Sequence, residues 1–261
     1  LAIFFLLSSV MPFVFIQDKW AAVTHVGSTD IFAQESFAQE SGILGESGLF
    51  DMSGSSAKFR FELFERMLTD KYVIGNSIYT SYKYCSDEDL SKYYLDKREC
   101  SELISKINDT LDELNNSNTN ESIEIILGNL TIGNLKSTSS RTKRFIELRM
   151  LNENRYVANA ILKSVLFGID EELKKISLLT NSQDYEILES SFKSASSQDQ
   201  KEYLSQEMTK LLIGIQKAKT SGRYSFTILI EPYSFKISSL IVKALFFTIF
   251  ITLSLISIYH R

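Results

Sequence analysis

Ala160-Ile-Leu-Lys-Ser-Val-Leu-Phe-Gly-Ile-Asp-Glu-Glu-Leu-Lys-Lys-Ile176 sets its apolar residues at helical spacing. Leu162, Val165, Ile169, Leu173 and Ile176 follow one another at intervals of three or four, the period that lines one side of an α-helix. Glu171, Glu172, Lys174 and Lys175 form the wet side, with weak local pairing among themselves. Gly168 lies inside the run, where it permits a close approach or a kink. Extended outward, the pattern predicts helix over Ser140–Leu179, broken by Asn181-Ser-Gln-Asp184. A shorter helix over Tyr185–Lys193 and a turn over Ser194–Gln198 follow. Gln200–Lys219 is a further amphipathic helix, with Tyr203, Leu204, Met208, Leu211, Leu212 and Ile215 inward and Ser221-Gly222 as its stop.

Upstream, Phe61, Phe64, Leu68 and Tyr72 form one stripe of a helix expected over Lys58–Tyr72. The tyrosines that follow, Tyr79, Tyr82, Tyr84, Tyr93 and Tyr94, read as core packing rather than a stacking site, because no compact motif organises them. Ser86-Asp-Glu-Asp89 has the composition of a capped helix start, with acids at the positive end of the dipole. Cys100–Leu114 predicts a second helix with Leu103, Ile107, Leu111 and Leu114 on one face, ending in the polar run Asn115–Asn120. Ile123–Gly128 is either a short strand or a helix. Arg223–Glu231 changes period to two and reads as a strand, pairing with Ile123–Leu127 or with residues 78–84. The fold class is therefore mainly α: an antiparallel helical domain over residues 58–235 with a small β element, and α+β as the alternative.

Both ends of the chain are apolar. Leu1–Ile16 is expected to be a signal-peptide core or a short N-terminal membrane anchor, assigned to residues 1–22. Residues 23–57, with a tandem Phe-Ala-Gln-Glu-Ser repeat and Gly42, Gly45, Gly48 and Gly54, read as a flexible linker. Ile237–Tyr259 is long and apolar enough to cross a bilayer as one helix, so residues 236–261 are assigned to a C-terminal transmembrane helix and short tail. Lys243 is its one internal charge. Pro232 punctuates the chain just before it. On this reading the lipid bilayer is a partner, and the bulk of a single- or double-pass chain lies outside the cell membrane.

The 261-residue chain has a net charge of −4 with dispersed basic residues, which argues against a nucleic-acid partner. Two prolines and a 44% hydrophobic content argue against disorder. Cys85 and Cys100 are candidates for one disulfide, closing a loop worth about 3 kcal/mol on the chain-entropy model. Asn108, Asn115, Asn120 and Asn129 stand in glycosylation sequons, which matter only on an exported, exposed chain.

Catalytic signatures do not emerge. Gly128-x-x-x-x-Gly133 mimics the start of a phosphate-binding loop, but Asn134 and Leu135 stand where Lys and Ser or Thr are required. The acids at residues 87–89 lack the distal Glu of a calcium loop. The only histidines are His25 and His260, so no histidine-based triad or zinc helix is present. No catalytic residue, metal ligand or cofactor is assigned. The expected function is a membrane-anchored extracytoplasmic binding or scaffolding protein for a protein partner or extracellular ligand. The alternatives are the sensor region of a transmembrane receptor and, third, a membrane-bound enzyme without a recognisable motif.

Overall fold

A computed structural model describes residues 19–29, 57–86, 95–117, 121–139 and 145–237. The order of elements is β1 (Lys19–Gly27), α1 (Ala57–Met67), α2 (Lys71–Ser86), α3 (Lys97–Ser117), α4 (Ile123–Ile132), β2 (Leu135–Ser139), β3 (Phe145–Asn152), α5 (Arg155–Ser194), α6 (Gln198–Thr220) and β4 (Thr227–Ile237). The described residues are mostly helical, with one four-stranded antiparallel sheet in the order β2-β3-β1-β4. The mainly α expectation holds at that level.

Local chemistry sets the helix ends. The first helix stops at Met67 rather than running to Tyr72. Asp70 Oδ1 accepts from the backbone N–H of Tyr72 at 2.9 Å and Val73 at 3.1 Å, and so starts a new helix at Lys71. Tyr72 is exposed in consequence. Ahead of α3, Asp96 Oδ1 accepts from Arg98 and Glu99 N–H at 2.8 Å, and Glu99 Oε2 accepts from Asp96 N–H at 3.0 Å. This reciprocal pair is a capping box. The expected helix start at Ser86–Asp89 runs into residues outside those described.

The core lies between one face of the sheet and the helices. Ile146, Leu148 and Met150 of β3 and Ala22 and Val26 of β1 meet Leu162, Val165, Leu166 and Ile169 of α5 in one buried cluster. Helices α2, α4 and α5 cross closely at glycines. A Cβ on Gly75 would overlap the Glu124 carbonyl, one on Gly128 the Lys71 carbonyl, and one on Gly168 the side chain of Ser77. Gly168 thus serves close approach.

Several expectations are corrected. Ser140–Leu179 is not one helix: Phe145–Asn152 is a strand, in which Ile146, Leu148 and Met150 are buried and alternate with Glu147 and Arg149. The helix does not break at Asn181–Asp184, and α5 continues through Tyr185–Lys193 to Ser194. Asn181 donates to Ser177 Oγ at 3.2 Å, and its side chain lies against Gly214 of α6. A neighbouring helix on that side outweighs the small helix propensity cost of Asn, Ser and Asp. Ile123–Gly128 and residues 78–84 are helical, so β4 pairs instead with β1. β1 straddles the expected boundary between an N-terminal anchor at residues 1–22 and a linker at 23–57. The strand was hidden because Ala21, Ala22, Val23 and Thr24 are all buried, so no alternation marks it.

The membrane assignment is also corrected. Among the described residues, no helix is long and apolar enough to cross a membrane. Ile237, taken as the start of the C-terminal span, is the last residue of β4 and pairs with Lys19. Pro232 stands inside β4, an edge strand, beside a register shift between Val23 and His25. The remaining apolar stretches, residues 1–18 and 238–261, lie outside the described residues. The expected transmembrane helix over residues 236–261 and the single- or double-pass placement in a cell membrane are corrected on this finding: no described helix can cross a membrane, and the expected span begins in a strand.

Candidate functional site

Among the described residues, the helices cover one face of the sheet, and the other face is the candidate site. Its residues follow from register, since side chains opposite each other in an antiparallel pair share a face. Ala21 lies between Leu151 and Phe235, Val23 between Arg149 and Tyr233, and His25 between Glu147 and Ile230. Ala21 and Val23 are buried floor residues. Above them Phe145, Ile230, Tyr233, Phe235 and Ile237 are each 37–45% exposed.

The aromatic groups on this face are arranged, not scattered. Tyr233 and Phe235 stack with centroids 6.1 Å apart, and the Arg149 guanidinium lies 5.9 Å from the Phe235 ring. Arg149 Nη2 donates to Glu147 Oε1 at 3.0 Å. His25 Nε2 is 3.5 Å from Glu147 Oε2, and its ring lies 5.9 Å from that of Phe145. The face therefore offers an apolar, aromatic centre with a histidine, a carboxylate and a guanidinium along one side.

A polar cleft of about 290 Å³ opens where β1 begins, between α3 and the root of α5. Lys19, Glu102, Lys106, Asp109, Glu153 and Asn154 are among its lining residues. Asn154 both caps α5, accepting from Tyr156 N–H at 2.9 Å, and donates to Glu102 Oε2 at 2.7 Å. Nearby, Arg98 Nη1 donates to the Tyr156 hydroxyl at 3.1 Å, and this bond holds the guanidinium above its ordinary pKa. The cleft offers both signs of charge to a small polar molecule.

The strongest buried polar groups are structural. Asp170 accepts from the backbone N–H of Tyr224 at 3.0 Å and of Ser225 at 2.6 Å, tying α5 to the start of the β4 segment. Arg60 Nε donates to Tyr224 O at 3.1 Å. Lys163 Nζ reaches both carboxylate oxygens of Glu99, at 2.9 and 2.8 Å, linking α5 to the capping box of α3. Each of these fixes one element on another, and none lines the polar cleft.

The residues singled out from sequence fall elsewhere. Cys85 at the end of α2 and Cys100 in the first turn of α3 form a disulfide, with Cα atoms 5.3 Å apart. Asn108 is exposed on α3 and accepts from the Tyr82 hydroxyl at 3.0 Å. Asn129 is exposed on α4, Asn115 lies in α3, and Asn120 lies outside the described residues. None of the described ones belongs to the sheet face or the cleft. Sequence reasoning missed the face because its floor is the hidden strand β1, although the alternation of Tyr233 and Phe235 with Ser234 and Lys236 was a usable signal. Among the described residues, no group of three or more His, Cys, Asp or Glu could hold a metal ion. Comparison with protein-family models and with curated protein sequences returns no match.

Proposed function

We propose that this chain is a binding or scaffolding module that holds a protein partner on the open face of its sheet. The observation that carries the reading is the exposed group Phe145, Ile230, Tyr233, Phe235 and Ile237 above a buried small-residue floor. Contiguous apolar surface rimmed by polar groups marks interaction sites on folded proteins. Tyr, Phe and Arg are the residue types that dominate the central energetics of such contacts. The partner is accordingly an apolar or aromatic protein surface.

Capture of partners by the folded chain, compared with the Tyr233→Ser/Phe235→Ser double variant, tests this. Both side chains are exposed, so the variant keeps its circular dichroism spectrum. The expected result is loss of specific partners from the variant alone. The same partners held equally by both chains would overturn the reading.

Small-ligand reception is the second reading, and the position of the cleft favours it. Asn154 and Val157 of the cleft begin α5, so an occupant would act on the root of the longest helix. A thermal-shift panel of zwitterionic amino acids, repeated on Glu102→Gln, tests it. A shift with one member that the variant loses is expected. No shift across the panel would overturn it.

A further inference from the structure

Helices α5 and α6 form an arm whose outer half leaves the core. No α5 side chain beyond Leu173 is buried, and α6 buries only Gly214 and Ala218. On the side of α5 turned away from α6 stand Ile176, Leu179, Gln183, Ile187 and Ser190, at spacings of three, four, four and three. All five are exposed. Leu179 and Ile187 are each 62% exposed. The opposite side of α5 is occupied by the hairpin partner, where Asn181 meets Gly214 and Lys174 Nζ donates to Gly222 O at 3.1 Å. An apolar stripe at helical period is thus left facing outward.

The charges of the arm are sorted along its length. On α5, whose side carries the stripe, residues 184–194 hold three carboxylates and one lysine, a net of −2, and residues 172–182 hold two lysines and one carboxylate, a net of +1. Two arms side by side in the same direction set acid on acid and base on base. Two arms in opposite directions set acid on base.

We propose that the occupant of this stripe is a second copy of the chain, its arm antiparallel, with the two-fold axis at Gln183. That register sets Leu179 of each copy against Ile187 of the other and Ile176 against Ser190. Glu172 comes within one position of the opposing Lys193. Gln183 faces its own copy, and each amide can donate to the other. A single polar residue inside an apolar helix seam fixes register in this way. A two-fold contact requires a self-complementary surface, and both the stripe and the charge gradient are self-complementary about this point.

The test uses the full chain with Gln183→Cys. Cys85 and Cys100 are paired with each other, so the introduced thiol is the reactive one. Mild oxidation is expected to give a covalent dimer on a non-reducing gel. Ile213→Cys, also exposed but on the far side of α6, is expected to give no covalent dimer. Sedimentation of the unsubstituted chain is expected to show a dimer that weakens as salt rises, and Ile187→Glu to weaken it by about 30-fold or more. Failure of the Gln183→Cys chain to cross-link, equal cross-linking of Ile213→Cys, or a monomeric unsubstituted chain would each overturn the proposal.

Discussion

The two halves of α5 share one unbroken helix and one apolar period, yet they stand in different surroundings. From Val157 to Leu173 the helix is sunk into the core against β1, β3 and α2. From Ile176 to Ser194 it has α6 along one side, and none of its side chains is buried. Leu166 is fully buried and Leu179 is 62% exposed, although both are leucines on the same helix. Period therefore reports which side of a helix is apolar. It does not report whether that side is covered. The buried half holds the fold together, and the exposed half is the surface proposed for a second copy of the chain.

Substitutions sharpen the contrast. Leu166→Ala is expected to cost about 3–5 kcal/mol in denaturant unfolding, because removing a core leucine loses transfer energy and leaves a cavity. A cost this size is a large share of a single domain's stability. Cys85→Ser with Cys100→Ser is expected to cost about 3 kcal/mol, since the bond closes a loop of 15-residue separation and joins α2 to α3. Asp170→Asn should cost about 2 kcal/mol in the same assay, because the amide nitrogen, a donor, replaces one of the two oxygens that accept from the Tyr224 N–H and removes the buried charge. Leu179→Ala should change monomer stability by less than about 0.5 kcal/mol. Similar costs for Leu166→Ala and Leu179→Ala would dissolve the comparison.

Much of the helical fold was legible. The stripe Leu162, Val165, Ile169 and Leu173 is buried as its spacing required. Of the α3 stripe, Leu103 and Ile107 are buried, and Leu111 and Leu114 are half-buried. What failed had physical causes. The alternation of Ile146, Leu148 and Met150 with Glu147 and Arg149 was present, but a strong helical signal downstream drew it into one long window. Asn181-Ser-Gln-Asp184 looked like a break because propensity is local, while the support from Gly214 and α6 comes from another part of the chain. β1 gave no period because Ala21, Ala22, Val23 and Thr24 are buried whichever face of the sheet they are on. The candidate face depends on that strand, so it could not be assembled before β1 was known. Ile176 carried the period of a core residue and proved exposed, which the sequence does not encode locally.

Backbone hydrogen exchange along α5, measured on the Ile187→Glu chain so that arm pairing is absent, tests the central claim most directly. The account predicts strong protection from Val157 to Leu173, where opening requires disruption of the core, and markedly faster exchange from about residue 182 to Ser194, through opening of the arm alone. Equal protection along the whole helix would contradict it, because the outer half would then be as deeply held as the root.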